Sequence, residues 1–297
     1  MAAEIGVRTL LADARERLSA AGVASPDADA RILLETATGW SRSQLLIKDS
    51  VGAEAAGRFQ ELINRRAERE PLQHITGVAH FRHISLRVGP GVFVPRPETE
   101  VMAGWAIDRL GEITDRTPVA VDLCTGSGAI AKALADEAPG TRLYAIEVSE
   151  DAAGWAARNL EGTGVELRVG DMATAFPELD GHVDVVVCNP PYIPLVAWES
   201  VQTEARDHDP QVALFSGDDG LDAIRVLTRV AARLLRPGGW VAVEHAEVQA
   251  ESVPALFAGH GSYEQVRDHR DLAGRPRFTT ARKVGTAGGR GRIGADD

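Results

Sequence analysis

The stretch Val119–Ala135, VAVDLCTGSGAIAKALA, passes from an apolar run of strand type through a glycine turn into a helical pattern. Gly126, Gly128 and Ala131 satisfy the spacing G-x-G-x-x-G/A, which invites a dinucleotide reading. A purely structural turn between strand and helix is its other reading, and Glu147 in the next strand favours an adenosine-type ligand. Glycine permits a sharp turn and lets a ligand approach the backbone with no Cβ in the way. Cys124, Thr125 and Ser127 complete the turn. Glu147 closes the next strand, 19 residues past Gly128, where an acid bonds the hydroxyl pair of a ribose. An NAD-type dinucleotide and S-adenosylmethionine both satisfy these signals. Asp122 helps to separate them. A carboxylate just before the glycines opposes a pyrophosphate and favours a cationic sulfonium or ammonium; its other reading is a cap on the turn.

Outward from this turn, strands and helices alternate. VAVDLC, RLYAIEV, VELRV and VDVVVC read as strands, followed by a helix around 221–235, the strand PGGWVAVEH, and two more candidates, SYEQVRD and PRFTTARK. Such alternation predicts an α/β fold with a mostly parallel sheet and helices on both faces. Upstream, the first 70 or so residues read as helices. Ser25-Pro26 starts one that closes on Gly39, Ser41 with Gln44 fits a capping box, and Phe59, Leu62 and Ile63 share one face of another. From Leu72 to Val94 the pattern changes to β-type alternation with glycine punctuation, as in a hairpin. The expected organisation is a helical domain over 1–71, a hairpin linker over 72–97, an α/β domain over 98–284, and a glycine-rich tail over 285–297 expected to be disordered.

Composition narrows the function classes. The 297 residues are 44% hydrophobic and 25% charged, the profile of a soluble globular chain. No run approaches a membrane span and the N-terminus has no signal-peptide pattern, so cytoplasmic location and no membrane partner are expected. Cys124 and Cys188 are too few for a disulfide framework or a cysteine-rich zinc site, and no metal is expected. Residues 1–85 carry 11 basic and 11 acidic side chains, so the net charge of −11 falls on the remainder. That balance weakens a nucleic-acid partner.

Two further loops carry chemistry. Asp171 and Met172, in RVGDMATAFPE, follow the third strand of the α/β part, where an acid can accept an adenine amino group and a methionine can cover the ring. Their other reading is an ordinary turn and a core methionine. The loop after VDVVVC reads Asn189-Pro190-Pro191-Tyr192 and leaves the sheet on the same edge as the glycine turn and Glu147. The prolines fix φ and remove two N–H donors, which leaves a stiff loop that presents carbonyl acceptors. The Asn189 side-chain oxygen and the Pro190 carbonyl together form a two-acceptor fork complementary to a planar NH2 group; a stiff polyproline-type loop or partner ligand is the other reading. Tyr192 can pack on the flat substrate group and exclude water.

NPPY after a fourth strand, with DLCTGSG before it, resembles the class I S-adenosylmethionine-dependent methyltransferases that modify planar amino or amide nitrogens. PLQHITGVAHFRHISLRVGPGVFVPRPETE, HDPQVALFSGDDGLDAIR and DLAGRPRFTTAR resemble segments of the protein-(glutamine-N5) methyltransferases, the HemK/PrmC family that acts on peptide chain release factors. The likeness extends over roughly residues 8–283. It implies a seven-stranded Rossmann-like sheet and a helical N-terminal domain that recognises the substrate. It also implies methyl transfer from S-adenosylmethionine to the glutamine of a Gly-Gly-Gln loop, with S-adenosylhomocysteine as product. By position, Cys124–Gly128 line the cofactor, Glu147 meets the ribose, Met172 the adenine side, and Asn189–Tyr192 the glutamine amide. Cys124 stands where a glycine is common, Glu147 where aspartate is commoner, and Met172 where a bulkier aromatic is often found.

Catalysis in this reading is positioning and polarisation by the Asn189–Pro190 fork, with no nucleophile. In VPRPETE, Arg96 and Glu98 are candidate positioning residues or parts of an interdomain clamp. His245, after VAVE, is read as structural. Three alternatives share some of the signals: an adenine-specific nucleic-acid methyltransferase, a non-catalytic ribosome-associated binding protein, and an NAD oxidoreductase.

Overall fold

The computed structural model describes residues 4–285. Its contacts divide the chain into two compact units, one of residues up to 79 with 87–94 and 200–209, the other of 80–86, 95–199 and 210 onward. Among the described residues no helix is long and apolar enough to cross a membrane. The tail expected to be disordered lies, after Gly285, outside the described residues.

The first unit comprises β1 (Glu4–Gly6), α1 (Val7–Ala20), α2 (Pro26–Thr38), α3 (Arg42–Ile47), β2 (Ser50–Gly52), α4 (Ala53–Ala67) and α5 (Leu72–Thr76). Leu10, Ala14 and Leu18 of α1, Leu33 and Leu34 of α2, and Phe59 and Ile63 of α4 form one apolar core. Leu10, Ala14 and Leu18 stand four apart, as do Phe59 and Ile63, and in α2 Leu33 and Leu34 are flanked by the core residues Ala30 and Ala37 at steps of three and four, so each helix turns a single stripe inward. Gly39 ends α2 in the left-handed conformation (φ 71°), and Ser41 with Gln44 forms a capping box on α3. Pro26 opens α2, whereas the Ser25 side chain makes no capping bond. Strands β1 and β2 pair antiparallel; three residues are too few to show a period in sequence. Leu72–Thr76, expected as part of a hairpin, instead forms one helical turn between Pro71 and Gly77 (φ 75°). Five residues do not reveal whether their period is 2 or 3.6.

The segment 200–209, drawn from far along the chain, joins this unit through charge. Glu204 accepts hydrogen bonds from Arg69 Nε (2.9 Å) and Nη2 (2.6 Å) and from Arg66 Nη2 (3.1 Å). Arg66 Nε also donates to Asp29 (2.8 Å). Burial pushes the Glu204 carboxyl up, but the Arg69 and Arg66 bonds outweigh it and hold the group at about 2.

Hairpin β3 (Val78–Phe81) and β4 (Ile84–Arg87) carries the chain into the second unit. There α6 (Thr99–Gly111), β5 (Val119–Leu123), α7 (Ala129–Glu137), β6 (Arg142–Glu147), α8 (Glu150–Leu160), β7 (Glu166–Val169) and β8 (Val183–Cys188) follow. After α9 (Thr203–His208), which belongs to the first unit, come α10 (Gln211–Leu214), α11 (Asp222–Leu234), β9 (Leu235–Glu244), α12 (Ser252–Gly259), β10 (Tyr263–Arg270) and β11 (Pro276–Lys283). The seven strands are ordered β10-β11-β9-β8-β5-β6-β7. Strands β5 to β9 run parallel, and β11 lies between β9 and β10, antiparallel to both. The seven expected strands are therefore all present. Strand β8 is buried along its whole length, because helices cover both faces and an unbroken valine run suits such a strand. The parallel strands bring the loops after β5, β6, β7, β8 and β9 to one edge, where ligands of open α/β sheets bind.

Candidate active site

The turn after β5 is held from below by Asp122. Its Oδ2 accepts from Thr125 Oγ1 (2.6 Å) and from the Ala131 N–H in the first turn of α7 (3.1 Å). The carboxylate is 1% exposed, and its Oδ1 has no partner among the described residues. Burial, helped by the charge of Glu147 and opposed by the two hydrogen bonds, pushes its pKa up to about 7. Of the two readings of Asp122, the turn cap is thus directly visible. Cys124, Gly126 and Gly128 have φ of 59°, 57° and 83°, so three residues of the turn lie in the left-handed region. Cys124 stands there at a cost of roughly 1–2 kcal/mol relative to glycine. A Cβ at Gly128 would press on Leu160 at 3.1 Å, whereas one at Gly126 would meet nothing within 4 Å. Gly126 therefore leaves open space over its backbone, as a ligand cradle requires. Ser127 is buried, and its carbonyl accepts from Asn159 Nδ2 (2.9 Å).

Glu147, at the end of β6, reaches back to this turn. Its Oε2 accepts the Gly126 N–H (2.8 Å) and its Oε1 the Ser149 N–H (2.9 Å), leaving further lone pairs on both oxygens. Asp171 caps the short turn after β7 by accepting the Ala173 N–H (2.8 Å). Beside it, Met172 Sδ lies 3.7 Å from Cys124 Sγ, so the two loops meet. Cys188 is fully buried, its pKa raised first by burial and then by the Cys124 contact. That is the setting of an inert packing thiol.

Asn189 follows β8, whose register pairs Cys188 with Leu123 of β5; the fork and the glycine turn consequently leave adjacent strands. Among the described residues, no donor bonds to Asn189 Oδ1 or to the Pro190 carbonyl. The loop is nonetheless pinned. Gln249 Nε2 donates to the Tyr192 carbonyl (2.9 Å), and the Ile193 N–H donates to Leu214 O (2.9 Å) while its carbonyl accepts from Ser216 N (3.0 Å). Gly220 (φ 75°) lies so close behind that a Cβ would stand 2.3 Å from the Tyr192 carbonyl.

A buried carboxylate, Glu244 at the end of β9, organises the fork. Its Oε2 accepts from Thr99 Oγ1 (2.6 Å) and its Oε1 from the Tyr192 hydroxyl (3.0 Å). Thr99 Oγ1 in turn accepts from Asn189 Nδ2 (3.2 Å). Burial raises the pKa of Glu244 against the pull of Thr99 and Tyr192. The Tyr192 phenol is raised as well, by burial and by the Glu244 charge.

Sequence reading missed Thr99 and Glu244. It pointed to Arg96 and Glu98 in VPRPETE, yet Glu98 pairs with Arg275 (3.1 Å) and Thr99 is the residue that reaches Asn189. The signal for Glu244 was present. An acid ends the apolar strand WVAVE, just as Asp122 and Glu147 end or nearly end theirs. His245 is fully buried with Nε2 3.0 Å from Asp268 Oδ1, and burial lowers its pKa, in line with a structural role.

The strand order, the glycine turn and the carboxyl-edge loops place the chain among the class I S-adenosylmethionine-dependent methyltransferases. Residues 120–208 match the methyltransferase domain family, and residues 9–77 match the PrmC N-terminal domain. The chain is 57% identical over 274 residues to the release factor glutamine methyltransferase of Streptomyces coelicolor, covering 92% of this chain and 97% of that one, and belongs to that family. The namesake enzyme of Mycolicibacterium smegmatis is 45% identical, with 94% and 98% coverage. A 4-amino-L-phenylalanine/4-methylamino-L-phenylalanine methyltransferase of Streptomyces pristinaespiralis is 46% identical over 209 residues, 69% of this chain and 71% of that one. Among solved structures, the hMettl16 catalytic domain shares the fold at 15% identity and a TM-score of 0.53, covering 75% of this chain and 82% of that one.

Proposed function

We propose that this protein transfers the methyl group of S-adenosylmethionine to the side-chain nitrogen of the glutamine in the Gly-Gly-Gln motif of peptide chain release factors, releasing S-adenosylhomocysteine. The observation that carries the reading is the pair of unused acceptors, Asn189 Oδ1 and the Pro190 carbonyl, on a rigid loop beside a glycine turn. A primary amide offers two N–H donors in one plane, and the fork accepts both. An adenine amino group does the same. Preference for glutamine is supported by the match of residues 9–77 to the PrmC N-terminal domain and by the names of the relatives.

In this reading Cys124, Thr125, Gly126, Ser127 and Gly128 line the cofactor, and Asp122 holds their turn in shape. Glu147 accepts from the ribose hydroxyls, Asp171 from the adenine amino group, and Met172 covers the ring. When bound, S-adenosylmethionine supplies an electrophilic methyl on a sulfonium. The amide nitrogen's lone pair is delocalised into its carbonyl, so the task of the protein is orientation. Asn189 and Pro190 hold the two N–H groups and aim the nitrogen, while Pro191 stiffens the loop and Tyr192 excludes water. On methylation the amide nitrogen would give up one proton, to a carbonyl or water, so no dedicated side-chain base is called on. The helical unit, with its balanced charge, serves recognition of the substrate protein.

The test incubates the protein with methyl-labelled S-adenosylmethionine and, separately, release factors, DNA and 4-amino-L-phenylalanine. Label on the release-factor glutamine is expected. Label confined to DNA or to the free amino acid would overturn the reading. Asn189→Ala leaves one amide N–H without an acceptor, a loss of about 1–3 kcal/mol before any misorientation, and should slow transfer accordingly.

A further inference from the structure

Asn189 can serve as an acceptor only if its amide is turned the right way, and an asparagine amide is nearly symmetric in shape. Left alone, it presents an N–H2 to the substrate as readily as an oxygen, and an N–H2 facing a glutamine N–H2 repels it. We infer that Glu244 and Thr99 are positioning residues that set the direction of the Asn189 amide, and with it the choice of an NH2 group over a carboxylate or carbonyl in the substrate pocket. This rests on the fork reading above.

Hydrogen-bond direction carries the inference. Burial raises the Glu244 pKa, yet each of its oxygens faces a hydroxyl donor. Thr99 gives its proton to Oε2 (2.6 Å) and Tyr192 gives its proton to Oε1 (3.0 Å), and in its carboxylate form Glu244 can only accept. With its only proton committed, Thr99 Oγ1 offers only lone pairs to its other neighbour. Asn189 must meet it with Nδ2 (3.2 Å), so Oδ1 is left for the substrate. The relay spans three structural pieces: the first residue of α6, the end of β9 and the loop after β8. Thr99 is 4% and Glu244 1% exposed, so water does not compete for the relay. The same carboxylate also locks the Tyr192 ring through its hydroxyl. One buried acid thereby fixes two of the four NPPY side chains.

A threonine used merely as packing would be replaced by valine with little consequence, since the shapes match. The relay predicts otherwise. The experiment compares wild type, Thr99→Val, Thr99→Ser and Glu244→Gln for methyl transfer to a release factor. It also measures cofactor Kd, thermal stability, and affinity for release factors carrying Gly-Gly-Gln or Gly-Gly-Glu. Thr99→Val should lower kcat about tenfold or more, the scale of one unsatisfied buried donor, with cofactor Kd within about twofold. It should also narrow the Gln-over-Glu binding ratio about fivefold or more, because the amide is free to turn. Thr99→Ser keeps the hydroxyl and should retain kcat within about threefold. If Thr99→Val is poorly folded, Glu244→Gln takes its place: one acceptor oxygen then faces two hydroxyl donors, and the ratio should narrow again. An unchanged Gln-over-Glu ratio in a folded variant, even with reduced kcat, would overturn the relay and leave only a structural role. Failure of the wild type to methylate the glutamine would instead sink the functional reading itself.

Discussion

Replacing Gly220 by alanine should uncouple methyl transfer from cofactor binding. The new Cβ would stand 2.3 Å from the Tyr192 carbonyl, 2.8 Å from Gln249 Nε2 and 3.0 Å from Pro194 Cδ. Real Cβ atoms essentially never come within 3.0 Å of another heavy atom, so the carbonyl must retreat by about 0.7 Å or the 220 loop must move. The Tyr192 carbonyl is also the one held by Gln249, so retreat breaks that bond and lets the Asn189–Tyr192 loop shift. Misplacement of a reacting group by about 1 Å costs on the order of a hundredfold in rate, and a loss of about ten- to a hundredfold in kcat is expected here. The glycine turn follows β5, next to β8, and Glu147 ends β6, one strand further; neither is among the nearest atoms a Cβ at Gly220 would meet, so cofactor Kd should stay within about twofold. Alanine at φ 75° adds a strain of about 1–2 kcal/mol, which Gly140→Ala isolates, since Gly140 (φ 86°) has nothing within 4 Å. Calorimetric titration of the cofactor and a filter assay of labelled release factor separate the two effects. Full kcat in folded Gly220→Ala, or equal losses in it and in Gly140→Ala, would refute the claim that Gly220 seats the fork.

The raised Asp122 predicts a pH dependence of stability. Its folded pKa of about 7 lies above the ordinary 3.8, so its favourable contribution is complete below that ordinary value and is lost as pH rises through 7. Asp122→Asn should therefore gain thermal stability relative to wild type between pH 5 and pH 8, read by parallel melts. Glu204 has the opposite sign. Its pKa is depressed to about 2, so its stabilisation holds above the ordinary carboxylate range and fades as pH falls through 2. Glu204→Gln leaves the buried Arg66 with Asp29 as its remaining acidic partner and should destabilise the helical unit by about 3 kcal/mol, measured by denaturant titration. Cys124, at φ 59°, should tolerate glycine but not valine, because a β-branched residue in that region is strongly disfavoured. Cys124→Val is expected to lower both Tm and cofactor affinity, and Cys124→Gly neither.

The amino-acid sequence by itself determined the elements that are long and periodic. All seven strands of the sheet, the helices carrying Leu33 and Phe59, and the loop order along one sheet edge follow from period, glycine placement and strand-helix alternation. Those signals are local, and local patterns survive without knowing what packs on them. The short elements did not: β1, β2 and α5 span three to five residues, less than their own period can reveal. The tertiary structure alone decided what the polar residues do. Asp122 proves to be a buried cap under its turn, segment 200–209 brings Glu204 to Arg66 and Arg69 from more than 130 residues away, and Thr99 and Glu244, 145 residues apart, converge on Asn189. Hydrogen-bond partners that distant leave no spacing to read, and the direction of a bond depends on which neighbour can only accept. NPPY can be read along the chain as a stiff loop with two acceptors, whereas the chain of contacts from Asn189 through Thr99 to the buried Glu244 exists only once the strands and α6 are brought together.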